Sequence, residues 1–168
     1  MQVNESNLQS NNLVESEQNI VLCMKWGTKY GADYVNRLYN MVKRHTTIGF
    51  KMVCLTDRTE GINPDIQCFP IPPLALPEGS PERGWNKLST FEPDLYGLKG
   101  NLLFLDLDVV IVDNIDDFFT YPGEFLIIHD WKRPWRVTGN SSVYRFKLGS
   151  FPDILPYFRE NFKEISHK

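Results

Sequence analysis

The stretch Asn101-Leu-Leu-Phe-Leu-Asp-Leu-Asp-Val-Val-Ile111 decides how this chain is read, because an unbroken apolar run from Leu102 to Leu105 meets two aspartates, Asp106 and Asp108, and then continues apolar. Such a run predicts a strand buried on both faces, as in the middle of a parallel sheet. Strand side chains alternate between faces, so residues two apart share one, and both carboxylates are expected to point the same way. Two unpaired carboxylates side by side raise each other's pKa and are costly to bury alone, which makes a divalent cation their simplest partner. Acidic pairs at strand ends also cap helices or face water, and the pattern by itself leaves that alternative open. Its position favours a ligand, since α/β sheets bind ligands at the carboxyl ends of their strands.

Toward the start of the chain, residues 20–24 predict a first strand and residues 25–31 a loop. Tyr34, Val35, Leu38, Tyr39 and Val42 form the stripe of an amphipathic helix, with Asp33 near its start and Lys43, Arg44 and His45 near its end, as the helix dipole prefers. Residues 50–56 predict a second strand ending at Asp57, so residues 20–57 make a βαβ unit. Residues 65–71 predict a short third strand, before a long loop punctuated by Pro70, Pro72, Pro73, Pro77 and Pro81. Trp85, Leu88 and Phe91 then space a short helix up to Pro93.

Toward the end, Asp113 and Asn114 are expected to cap a turn at residues 115–119, and residues 124–128 predict a strand ending at His129 and Asp130. A further strand is expected over residues 142–146, and an amphipathic helix over residues 152–164. The fold class expected is α/β: a three-layer αβα sandwich around a mostly parallel sheet.

Length and composition set the bounds. The chain has 168 residues, of which 42% are hydrophobic and 23% charged, which suits one globular domain and excludes a disordered or fibrous class. Residues 1–19 carry no Lys or Arg and no hydrophobic block, so they are expected to be a flexible leader and neither signal nor transit peptide, leaving residues 20–168 as a single domain. A formal charge of −3 gives no general attraction to nucleic acid, although local basic clusters could hold phosphates. No apolar stretch reaches the roughly 18 residues of a membrane-spanning helix. Cys23, Cys54 and Cys68 are odd in number and each lies in an apolar segment, which reads as free thiols in a reducing, cytoplasmic setting.

The order of these pieces resembles the nucleotide-sugar-dependent glycosyltransferases of GT-A fold. The matching segments are residues 25–31, Cys54-Leu-Thr-Asp57, Gly84-Trp-Asn-Lys-Leu88, Leu103-Phe-Leu-Asp-Leu-Asp-Val-Val-Ile111 and Asn140-Ser-Ser-Val143. The last three resemble the family 8 pattern and, more closely, a bacterial group of uncharacterised glycosyltransferases. The resemblance spans about residues 20–160. It implies a Rossmann-like nucleotide-diphospho-sugar transferase fold in which Asp106 and Asp108 bind Mn²⁺ or Mg²⁺ and the cation holds the diphosphate of a donor. It further implies that Asp106 lies nearer the ribose, that Thr28, Tyr30 and Asp57 hold the base, with uracil expected, and that Lys87 contacts a phosphate. Asp130, Asn140, Ser141 and Ser142 would line the sugar side, with Asp130 and Lys87 the catalytic candidates.

The activity implied by the resemblance is that of a metal-dependent transferase moving a sugar from a UDP-sugar to a glycan or glycolipid acceptor, as in polysaccharide biosynthesis, peripheral to the inner membrane face. Each residue also has a plainer role: Tyr30 can pack on the sheet, Asp57 can serve a turn, and Lys87, opposite the apolar stripe of its helix, can be solvated. Trp131-Lys-Arg-Pro-Trp-Arg136 either grips an acceptor with aromatic faces and guanidinium forks or is an amphipathic loop.

Two departures stand out. Ser142 replaces the usual glycine, narrowing the donor pocket, and the chain stops at Lys168, near where relatives continue with acceptor-binding segments and a third metal ligand, a role for which His167 lies too near the terminus. A short transferase, a non-catalytic nucleotide-sugar-binding module working with a partner chain, and an oligomer are therefore all compatible with the sequence. So is a phosphatase of the haloacid dehalogenase type, in which Asp106 would be nucleophile and Asp108 general acid/base.

Overall fold

The computed structural model describes residues 17–78, 80 and 84–166. The chain begins with β1 (Gln18–Lys25), α1 (Ala32–His45) and β2 (Lys51–Thr56), then a short β3 (Gln67–Phe69). After the proline-rich connection come a 3₁₀ helix (Trp85–Phe91), β4 (Gly100–Leu105), α2 (Asp117–Thr120), β5 (Phe125–His129), β6 (Gly139–Lys147), α3 (Ile154–Glu160) and α4 (Phe162–Ser166). The expected leader lies outside the described residues up to position 16, and Gln18 and Asn19 already belong to β1.

The strands form one six-stranded sheet in the order β3-β2-β1-β4-β6-β5. β3, β2, β1 and β4 run parallel, while β6 is antiparallel to both β4 and β5. Chain order runs outward from β1 in one direction and resumes at β4 on its other side, so the sheet reverses its winding between these two strands.

Alternation divides the core into two layers. On one face Val21, Cys23, Met52, Cys54, Leu103 and Leu105 pack against Val35, Leu38, Tyr39 and Val42 of α1. On the other, Ile20, Leu22, Val53, Leu102 and Phe104 meet Phe91, Leu95 and Leu155 from the 3₁₀ helix, the next loop and α3. Aromatic rings fill this second layer: Phe91 stacks on Phe146 at 4.5 Å and Phe104 on Tyr144 at 4.8 Å between centroids. The three thiols line up across the sheet, since Cys23 is in register with Cys54 and Cys54 with Cys68. Cys23 and Cys54 are buried and Cys68 half-buried; the Cys23 thiol is pushed up in pKa by its hydrogen bond with Cys54 and by burial.

Several elements differ from their sequence expectation. The run at 101–111 is a strand only as far as Leu105, and then turns so that Leu107 and Ile111 enter the core while Val110 and Val112 face solvent. Apolar content alone does not distinguish a continued strand from a compact turn. β4 is central, yet one of its two neighbours is antiparallel. The helix expected before Pro93 is a 3₁₀ helix, whose tighter winding goes with Ser89 and Thr90 hydroxyls bonded to carbonyls three residues back. The terminal helix is two, broken at Asn161, whose side chain competes for the Tyr157 carbonyl.

Arg145 lies buried in β6 and is satisfied by three carbonyls, donating to Phe118 (2.9 Å), Gly123 (2.7 Å) and Tyr121. Its guanidinium thus pins the α2–β5 connection to the sheet. Gly100 opens β4 at φ +115°, and a Cβ there would fall 2.1 Å from the Gln18 carbonyl oxygen of β1. Gly100→Ala is expected to destabilise the fold by about 3 kcal/mol or more, measured by denaturant unfolding, because backbone must move. Gly49→Ala, with open space around its Cβ, should fall within roughly 0.5 kcal/mol of the native chain.

Candidate functional site

A cleft of ≈ 640 Å³ opens where β1 and β4 end. The residues after β1, Trp26 to Tyr30, form one wall, and Met24, Gly84, Lys87 and Asp106 to Asp108 complete the lining. The site therefore sits at the C-terminal edge of the parallel strands and at the reversal of strand order, the place where open α/β sheets bind ligands.

Each wall is held by identifiable bonds. Pairing with β6 outlasts β4 itself, as the Asp106 amide donates to the Ser142 carbonyl at 2.9 Å. The chain then tightens into a turn, Val109 N–H to Asp106 carbonyl at 3.3 Å, which presents Asp108 to solvent. Lys87 donates to Asp106 Oδ2 at 2.7 Å and to the Ser141 carbonyl at 3.1 Å, with its ammonium 5.4 Å from the Phe104 ring centre. Beneath Lys87, the buried Tyr144 hydroxyl lies 3.1 Å from Thr90 Oγ1 and 3.3 Å from the Lys87 carbonyl. Burial, aided by the charge of Asp106, pushes the Tyr144 pKa well above the ordinary tyrosine value, so this hydroxyl stays protonated as a donor.

On the opposite wall Tyr30 donates to Asp108 Oδ2 at 3.0 Å, its ring held edge-on by Tyr34 at 4.8 Å and covered by the Lys29 ammonium at 4.9 Å. The loop is anchored from behind. Asp57, at the end of β2, accepts the Gly27 amide at 2.9 Å and lies 3.8 Å from the buried Lys25 ammonium. The Gly27 hydrogen bond, with help from Lys25, holds the Asp57 carboxyl below the usual carboxylate range.

Of the residues singled out from the sequence, Thr28, Tyr30, Lys87, Asp106 and Asp108 line one cleft. Asn140, Ser141 and Ser142 are outside the lining but brace it: the Ser141 carbonyl accepts Lys87, the Ser142 carbonyl accepts the Asp106 amide, and Asn140 Oδ1 accepts the Ser142 amide at 2.9 Å. Asp57 and Asp130 are not part of the lining. Asp57 stands behind the loop, and Asp130 comes directly after β5 on the same sheet edge, where it accepts the Lys132 amide at 3.1 Å. Lys87 is not a free solvated lysine. The lining also takes in Trp26, Gly27, Lys29 and Gly84, which lie inside the sequence motifs but carry no role that the sequence alone assigns. Buried Lys25 escapes a reading of the motifs; its signal is a lone cation ending an apolar strand, which needs a counterion.

For a cation the donor set is two carboxylates. Lys87 and Tyr30 occupy one oxygen of each, leaving Oδ1 of Asp106 and of Asp108 without a hydrogen-bond partner among the described residues. Also among the described residues, no cluster of three or more His, Cys, Asp or Glu side chains is set to hold a metal. Two hard oxygen donors in an open cleft suit Mg²⁺ or Mn²⁺, which complete their shell with phosphate oxygens and water.

No protein-family model matches the chain, and no curated protein matches it by sequence. Solved structures do match in fold. The apo-form glycosyltransferase GlyE of Streptococcus pneumoniae superimposes with a TM-score of 0.54 at 13% identity, over 90% of this chain and 39% of that one. The galactosyltransferase LgtC, solved with donor and acceptor sugar analogues, gives 0.59 at 11% identity, over 88% of this chain and 65% of that one. The chain thus has the GT-A-like α/β fold of these glycosyltransferases and spans less than two thirds of either.

The Asp57 tie is testable through pH. A depressed folded-state pKa contributes stability above the unfolded value of about 3.9 and loses it as pH falls through the folded value. Asp57→Asn should therefore be less stable than the native chain at neutral pH, and the gap should close below about pH 4 in thermal melts across that range.

Proposed function

We propose that this chain binds a nucleotide diphospho-sugar, with UDP as the expected nucleotide, together with Mn²⁺ or Mg²⁺, and transfers the sugar to a glycan or glycolipid acceptor. The observation carrying the reading is that Asp106, Asp108 and Lys87, distant in sequence from Thr28 and Tyr30, join them in one cleft at the switch point of a glycosyltransferase-like sheet. The pair comes after the fourth strand, which disfavours a haloacid dehalogenase arrangement, whose aspartates lie near the N-terminus.

In this reading Asp106 and Asp108 hold the cation through their open oxygens, and the bound cation supplies charge neutralisation of the leaving diphosphate. Lys87 is poised beside Asp106 to share that load, preorganised by the Ser141 carbonyl and by the Tyr144 hydroxyl on its own backbone. Tyr30, fixed by Asp108, offers a ring and a hydroxyl to the nucleoside, with Thr28 beside it. Asp57 acts by holding that loop in place through Gly27. Asn140, Ser141 and Ser142 of β6 reach the same sheet edge, on the side this reading gives to the donor sugar and acceptor, and Asp130 follows β5 beside them. A binding module without turnover is the second reading, favoured by Asp130 standing outside the cleft lining.

Calorimetric titration of UDP, GDP and common nucleotide sugars, with and without Mn²⁺, tests the proposal. UDP binding is expected to require the metal and to weaken at least tenfold in Asp108→Asn, the order of loss that even an outer-shell partner of a metal causes, about 10–100-fold. Metal-independent binding, or native affinity in the variant, would refute it. Lys87→Met should lower turnover of the donor by about 10²-fold or more while leaving binding less affected; a variant that turns over as the native chain does would remove Lys87 from the mechanism.

A further inference from the structure

The segment between β5 and β6 carries a feature the donor cleft does not use. Trp131 and Trp135 are 62% and 76% exposed, and Val137 is fully exposed. Interleaved with them are Lys132, Arg133 and Arg136, with no acidic residue from 131 to 137, in a chain whose formal charge is −3.

The loop is not slack. Asp130 N–H donates to the Thr138 carbonyl at 2.8 Å, Arg133 N–H to Asp130 at 3.0 Å, Arg136 N–H to Arg133 at 2.9 Å and Thr138 N–H to Arg136 at 3.0 Å. His129 Nε2 lies 3.0 Å from the Arg136 carbonyl. The Asp130 carboxylate accepts the Lys132 amide, and among the described residues no salt bridge ties it to Lys132, Arg133 or Arg136. A tongue tied across by its own backbone bonds holds one shape, so its exposed apolar side chains are the first groups an interface meets.

We propose that residues 131–137 dock this protein on an anionic phospholipid surface, with the two indoles and Val137 entering the headgroup region and the three cations pairing with lipid phosphates. Indoles favour that boundary, and Lys and Arg near an anionic surface each add attraction. An exposed valine has neither an aromatic face nor a polar atom to offer a sugar or a nucleobase, which sets lipid ahead of a glycan or a single-stranded nucleic acid. The docking does not depend on donor binding.

The test is sedimentation of the full chain with phosphatidylcholine vesicles containing phosphatidylglycerol, and with phosphatidylcholine alone. Binding is expected to the anionic vesicles only, with a blue shift of tryptophan emission. Replacing Lys132, Arg133 and Arg136 together by Gln should weaken partitioning on the order of a hundredfold. The pair Trp131→Ser and Trp135→Ser should weaken it as well and abolish the blue shift. The charge-keeping pair Arg133→Lys and Arg136→Lys should still bind, which separates loss of charge from loss of structure, and thermal melts of all variants should match the native chain. Failure to bind anionic vesicles, equal binding to neutral ones, native binding by the Gln or Ser variants, or release by a soluble oligosaccharide or oligonucleotide would overturn the proposal.

Discussion

One backbone hydrogen bond sets the shape on which the site depends. The β1–β4 pairing ends at Leu22 with Phe104, whereas β4 keeps its pairing with β6 through Leu105 and on to the Asp106–Ser142 bond. The chain is thus released on its β1 side two residues before it is released on its β6 side. β1 meanwhile runs on to Lys25, still paired with β2. A notch is left between a rising strand and a turning one, with Asp106 at its base. The antiparallel β6 is what brings the Asn140–Ser142 segment to the same edge.

The charges around the notch are arranged in local pairs. Lys87 answers Asp106 and Lys25 answers Asp57, each ammonium shielded enough that a missing partner would be costly. Arg145, deeper in the sheet, donates to three carbonyls among the described residues, so its role is to gather backbone from α2 and the connection that follows it. The contrast separates groups that support the scaffold from those that a polyanionic ligand could recruit by exchanging one pairing for another.

Much of this is legible in the sequence, for physical reasons that differ by element. α1 can be read because its stripe, its acidic first turn and its basic last turn agree. The first and fourth strands can be read because both faces are buried, which leaves little besides apolar residues. The end of β4 cannot, since Val109 to Val112 are as apolar as the strand before them and only the tertiary turn separates buried Ile111 from exposed Val110. Arg145 in a buried strand contradicts composition rules and is explained by carbonyls more than 20 residues away in sequence. The Tyr30–Asp108 contact, 78 residues apart, is equally hidden; both residues stand out as candidates, and their meeting is a property of the strand order β1-β4.

The row of cysteines across β1, β2 and β3 gives the molecule a built-in clock for its own opening. Cys68 sits half-covered near the sheet's margin, whereas Cys23 and Cys54 lie beneath α1, where no alkylating reagent arrives while the helix stays seated. Modification of the inner two therefore counts excursions in which the parallel half of the sheet comes apart, and the lag between outer and inner labelling separates fraying at the rim from cooperative loss of the whole layer.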